Sequence, residues 1–148
     1  MANDQVIDQK EFKKLMKTLK KFPVKVQKSV VVGSIRAGAI VVKDEMKSRV
    51  PYEQGTLEES IRYKKYRSKK DEVLFNVGIA NVVVQNGKKG KLKSTRQYAY
   101  YLEYGTKKMA AKPFIRPTLT SVGDKPVTAA RAYFAPRFKK LKAKEGFK

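Results

Sequence analysis

The chain has 148 residues, 41% apolar and 32% charged, which suits one domain with a hydrophobic core rather than a disordered segment. Its 35 Lys and Arg against 13 Asp and Glu give a formal charge of +22, which attracts polyanions and opposes folding through self-repulsion. Cysteine and histidine are both absent, which excludes a disulfide framework, thiolate chemistry and the usual general base and metal ligand near neutral pH.

The first residues, MANDQVIDQKEFKK, contain no apolar core of a secretory signal, and no run approaches the roughly 18 apolar residues of a membrane span. Asp8 and Glu11 form a D-x-x-E capping box. Phe12, Leu15, Met16 and Leu19 then share one helical face, so a peripheral amphipathic helix is predicted over residues 1–22, ended by Pro23. Its apolar face is narrow, which favours docking on its own domain over a membrane surface.

Residues 24–50 carry two signals. Val30-Val31-Val32 suits a strand start, but Val31, Ile35, Val42 and Met46 recur at helical spacing. The second signal spans more of the segment and predicts one helix of about 25 residues, about 37 Å long. Gly33, Ala37, Gly38 and Ala39 would let another segment approach it closely, and Pro51 ends it. Gly55 marks a turn, with Leu57 and Ile61 as apolar anchors behind it.

Val73, Phe75, Val77 and Ile79 alternate, which is a strand signature. Ile61, Tyr63 and Tyr66 form a preceding strand, with the turn over 68–71. Residues 82–84 make a third short strand or continue the second after a bulge near Asn81, and Asn86-Gly87 is a turn. Residues 88–96, KKGKLKSTR, read as a mobile basic loop. Tyr98, Tyr101 and Leu102 share a face of a short helix closed by Gly105. A loop over 106–112 leads into a rigid corner at 113–117, with a helix starting at Pro117 or just after. Asp124 and Pro126 signal a last helix lined by Val127, Phe134, Phe138 and Leu141. Pro136 should kink or divide it, and residues 139–148 form a basic, frayed tail. The order predicts an α+β fold: a long N-terminal helix packed on a small antiparallel β-sheet, with a short helix and a C-terminal helix.

Residues suited to chemistry are few. The pairs Asp44-Glu45 and Glu58-Glu59 sit among basic residues, and neighbours along a helix diverge, so ion pairing explains them better than a metal site. No phosphate-binding G-x-x-x-x-G-K-[ST] run exists. No catalytic residue, metal or cofactor is expected. Glu103, alone in an aromatic segment, needs a partner if buried; Arg116, or an arginine of a neighbouring subunit, is the candidate. Three basic clusters, residues 62–70, 88–96 and 137–148, have Tyr63, Tyr66 and Tyr98 interleaved. Charge with aromatics suits polyanion contact, but no nucleic-acid recognition motif accompanies them. The candidate DNA or partner contacts are Arg62, Lys64, Lys65, Arg67, Lys69, Lys70, Lys88, Lys89, Lys91, Lys93 and Arg96.

Three segments together resemble the small tail-component or head-to-tail joining proteins of long-tailed bacteriophages. VPYEQGTLEESI at 50–61 is similar to that family's Ala-Pro, Thr-Gly, Leu-Arg-x-Ser-Ile pattern, with Val50 in place of Ala and Glu58 where a basic residue is frequent. YAYYLEYGT at 98–106 resembles its Tyr-Ala-x-Tyr-Val-Glu-Phe-Gly-Thr, and MAAKPFIRP at 109–117 its Met-x-Ala-x-Pro-Phe-Leu-Arg-Pro. The resemblance covers residues 24–138. It implies a structural protein of the virion neck or upper tail, assembled in the host cytoplasm. It also implies a homo-oligomeric, six-fold ring between the head connector or stopper ring and the tail-tube proteins. Non-specific contact with genomic DNA in the channel would follow, and no membrane role. The structural or interface residues it implies are Gly55, Leu57, Ile61, Tyr98, Tyr101, Glu103, Gly105, Pro113, Phe114, Arg116 and Pro117. The alternative is a non-catalytic basic nucleic-acid-binding accessory protein.

Overall fold

A computed structural model describes residues 17, 20–21, 24–51, 56–66, 73–85 and 92–144. The predicted helix over 1–22, Gly55, Arg67, Lys69, Lys70, Lys88, Lys89, Lys91 and both predicted turns lie wholly or mostly outside these residues. The architecture is α+β. In chain order it runs α1 (Val24–Ser48), α2 (Thr56–Ser60), β1 (Ile61–Tyr66), β2 (Leu74–Ile79), β3 (Val83–Gln85), β4 (Leu92–Ser94), α3 (Thr95–Tyr104), α4 (Ile115–Val122) and α5 (Lys125–Lys144).

Helix α1 is the spine, and the helical spacing prevails over the Val30-Val31-Val32 run. It packs along α5 in antiparallel fashion, and the small residues permit the approach. A Cβ on Gly38 would lie 2.8 Å from the Pro126 carbonyl oxygen, and one on Gly33 would strike the Tyr133 ring. At the far end of this pair Phe138 is buried against Val31, Phe134 and Leu141. Val127, expected on the same side of α5, is exposed instead. Pro136 does not divide α5: the helix continues across it to Lys144, so much of the expected frayed tail is helical. Proline removes one N–H from the helical ladder but leaves the flanking bonds and the packed face in place.

Strands β1 and β2 form an antiparallel pair, with Ile61 opposite Ile79, Tyr63 opposite Val77 and Tyr66 opposite Leu74. The face carrying Ile61, Tyr63, Phe75, Val77 and Ile79 turns inward, as the alternation predicts. Tyr63 accepts a 2.9 Å hydrogen bond from Arg36 Nε on α1, and the Lys43 ammonium lies 6.0 Å from its ring centroid. Arg62, Lys64, Tyr66, Leu74 and Asn76 point outward and are exposed.

The third strand is a separate unit. β3 pairs with β4, Val83 opposite Ser94. The expected mobile loop over 88–96 is therefore corrected: residues 92–94 are a strand, and Thr95 and Arg96 already belong to α3. The loop reading followed its charge and glycines; the strand exists because β3 supplies the backbone partners. Thr95 locks the junction, donating through Oγ1 to the Ala80 carbonyl at 2.6 Å and accepting from the Val82 N–H at 3.0 Å.

The main core gathers Met46 of α1, Leu57 of α2, Ile61 of β1, Ala99 and Leu102 of α3, and Phe114. Helix α2 contributes one turn and ends on Ser60, whose hydroxyl donates to the Leu57 carbonyl at 2.7 Å. Phe114 is fully buried, so the segment between α3 and α4 is pinned by a large aromatic anchor.

Candidate functional site

The residues with specific, engineered-looking geometry converge where α3 hands over to α4. Helix α3 presents Ala99, Leu102 and Glu103 to the interior and leaves Tyr100, Tyr101 and Tyr104 outside. Tyr98 is half-buried and packs against the core. Tyr101 was expected on its face, but it is 39% exposed. Ala99, buried in the core cluster, faces the interior instead.

Gly105 ends the helix. Its N–H donates to the Tyr101 carbonyl at 2.8 Å, and its φ of 76° is one that only glycine adopts freely. The chain then makes a tight bridged turn, Thr106 and Met109 exchanging backbone hydrogen bonds of 2.8 and 3.2 Å. The Lys112 N–H returns to the Leu102 carbonyl at 2.7 Å. This fold-back brings Phe114 and the start of α4 against Glu103.

Glu103 is 3% exposed, and its carboxylate is fully engaged. Oε2 accepts the N–H groups of Phe114 and Ile115, each at 2.9 Å. Oε1 accepts the Arg116 N–H at 3.2 Å and Arg116 Nε at 3.0 Å. Phe114, at the cap position of α4, has no side-chain oxygen to offer the first turn. Glu103 does that work from another helix: it caps α4 and sets a negative charge at the positive end of its dipole. Burial pushes the Glu103 carboxyl upward, but the Ile115, Phe114 and Arg116 donors together outweigh it and hold it below its ordinary range. α4 thus begins at Ile115, two residues before the expected start, and Pro117 sits in its first turn, where its missing N–H costs little.

Arg116 is the intramolecular partner of Glu103, yet its side chain is 63% exposed. Its guanidinium lies 5.1 Å from the Tyr104 ring centroid, and Tyr104 packs against Tyr100 at 4.7 Å. Tyr100 and Tyr104 are 59% and 60% exposed, far more than large aromatics usually are in a core. They edge an open groove of about 410 Å³ whose apolar floor is Ile79, Ala99 and Ile115. Arg96 also lines it, oriented by a 2.9 Å hydrogen bond from its Nε to the Ile79 carbonyl.

The other sequence candidates are placed as follows. Leu57, Ile61 and Phe114 are core. Arg62, Lys64 and Lys65 are exposed on β1, and Lys93 lies in β4. Pro113 is exposed before the buried Phe114. Members of both acidic pairs form ion pairs: Asp44 with Lys43 at 2.8 Å, Glu58 with Lys47 at 3.9 Å. Glu45 accepts from Arg49 Nε at 3.0 Å and from Ser121 Oγ at 2.9 Å, which ties α1 to α4. Those two hydrogen bonds, the Ser121 one foremost, lower its carboxyl. Among the described residues no group of three or more acidic side chains could hold a metal ion, and no helix is long and apolar enough to cross a membrane. Thr95, Ala99 and Thr118 were missed from sequence. Small or hydroxylic residues carry no signal of their own until their neighbours are known.

A family model described as "Bacteriophage HK97-gp10, putative tail-component" matches residues 13–105, more than half of the chain. The match ends at Gly105, so it includes Glu103 but not the α4 end of the clamp. No curated protein and no solved structure gives a significant match.

Proposed function

The chain belongs to the HK97-gp10-like family of bacteriophage tail components, and from that premise we propose that it is a structural virion protein that closes into a homo-oligomeric ring. The ring sits at the head–tail interface or upper tail and completes the tail or joins it to the DNA-filled head. Its neighbours are the head-connector or stopper ring and the tail-tube proteins. The observation that carries this reading is the surface built on the Glu103 clamp. Tyrosine and arginine, the residues most enriched at interface hot spots, are exposed there beside an elbow held by three backbone N–H bonds and one guanidinium bond to Glu103. A ring needs such a pre-ordered contact, because a heterologous interface closes only if each subunit repeats one rotation.

The exposed basic face of β1 favours one second reading, a non-catalytic nucleic-acid-binding accessory protein. Its Arg62 and Lys64 suit phosphate contact without sequence reading. Sedimentation velocity across protein and salt concentrations, with and without DNA, separates the two. A stable ring that survives added salt supports the structural reading. A monomer that binds DNA tightly and loses it with salt supports the accessory reading.

A further inference from the structure

Three charged residues line the groove beside the clamp: Arg96, Arg116 and Glu103. Both Glu103 oxygens are already engaged, so the charge the groove offers a visitor is positive. Each arginine is anchored through Nε, Arg96 to the Ile79 carbonyl at 2.9 Å and Arg116 to Glu103 Oε1 at 3.0 Å. Arg116 Nη2 makes one long contact, 3.4 Å, with the Glu103 carbonyl. Among the described residues the other terminal amino groups are uncommitted, and that end of a guanidinium grips a carboxylate two-pronged. Anchoring at Nε orders each fork before anything binds. Arg62, exposed and opposite Gly78 across the sheet, adds positive charge beside the groove.

Charge alone would suit any polyanion, but the floor narrows the choice. Ile79, Ala99 and Ile115 form it, and the exposed rings of Tyr100 and Tyr104 stand at its edge. A DNA backbone carries no apolar group to cover such a floor, and the bases of a duplex are stacked out of reach. A peptide can cover it, with an aliphatic side chain next to its carboxylates. The volume, about 410 Å³, suits a few side chains rather than a whole helix.

The chain itself is a poor source of such a peptide. With 35 basic against 13 acidic residues, a second copy brings mostly like charge. Among the described residues Asp44, Glu45, Glu58 and Glu103 already pair with the chain's own lysines and arginines. We infer that the groove binds a short acidic segment of a different protein, carboxylates on Arg96 and Arg116 and an aliphatic side chain on Ile79 and Ile115. The inference rests on the reading of the clamp surface as an assembly contact, and it names a partner for the groove.

Fluorescence anisotropy with the purified protein tests it. The probe is a labelled peptide, Asp-Leu-Asp-Leu-Asp, beside one version with serine for leucine and one with asparagine for aspartate. The protein variants are Arg96→Glu, in the groove, and Arg131→Glu, exposed on α5 and outside the groove lining. The leucine-aspartate peptide should bind about ten-fold tighter than either altered peptide, since each loses buried apolar area or charge-assisted bonds. Arg96→Glu should weaken it by about ten-fold, and Arg131→Glu by less than about two-fold. Equal binding of the leucine and serine peptides, equal losses in the two variants, or no binding at millimolar peptide would overturn the inference. So would a short DNA duplex that displaces the peptide and is itself weakened more by Arg96→Glu than by Arg131→Glu, which assigns the groove to DNA. Sedimentation of the same samples reads the ring separately. A monomer that binds the peptide keeps the groove and overturns the ring; a ring that ignores the peptide does the reverse.

Discussion

Replacing Glu103 with alanine would remove the acceptor for three backbone N–H groups and one guanidinium N–H at once. Loss of a helix cap costs about 1 kcal/mol. The Phe114 N–H is buried and would be left without a partner, which adds about 1–3 kcal/mol. The void and the lost charge-assisted bonds bring the total to about 3–5 kcal/mol, the range seen when one member of a buried ionic cluster is removed. For a chain of this size that lowers the melting temperature by about 10 °C. Glu103→Gln keeps the shape but only one acceptor oxygen, and should cost about 2 kcal/mol. Arg116→Ala should be much milder, about 1 kcal/mol, because its side chain is 63% exposed and three backbone donors still hold the carboxylate. Thermal and urea unfolding followed by circular dichroism give the ranking. Equal losses for Glu103→Ala and Arg116→Ala would mean that the ion pair, not the cap, holds the elbow, and would refute the reasoning.

Acid should loosen the same elbow. The folded-state Glu103 carboxyl lies below its ordinary range, so its contribution is complete above about pH 4.3 and is lost as pH falls through the lowered value. Glu103→Gln should flatten that acid limb of the stability curve; an unchanged slope would contradict it. Gly38→Ala puts a methyl against the Pro126 carbonyl on α5, a backbone atom, and should cost about 1–3 kcal/mol. Gly33→Ala meets only the Tyr133 ring, which can swing aside, so it should cost less; the reverse order in urea melts would refute the packing argument. Pro136 is exposed inside a continuous helix, so Pro136→Ala should restore one ladder bond and raise stability by about 1–3 kcal/mol. A loss of stability on calorimetry would show that α5 needs the proline's geometry.

Much of this fold is written in periodicity. The spacing of Val31, Ile35, Val42 and Met46 describes α1, and the alternation from Phe75 to Ile79 describes the inward face of β2. Both patterns reflect burial on a single face, which a local reading can see. β4 was illegible because Leu92-Lys93-Ser94 has no alternation of its own and becomes a strand only opposite Val83–Gln85. The rotation of α3 is illegible for a related reason: tyrosine and alanine can each face a core, and here Ala99 is buried while Tyr101 is exposed. Glu103 stands out in the sequence as a lone acid among aromatics, and Arg116 is its salt-bridge partner. That its main partners are main-chain groups of Phe114, Ile115 and Arg116 could not be read, since backbone donors leave no mark in a sequence.

The placement of the chain in the particle is open to direct imaging. Virions of the phage that encodes it, carrying an epitope tag at the C-terminus, can be labelled with gold-conjugated antibody and viewed by electron microscopy. The ring account predicts gold at the junction of head and tail. Gold along the tail shaft, at its distal tip or on the capsid, or no gold on intact virions, would contradict it.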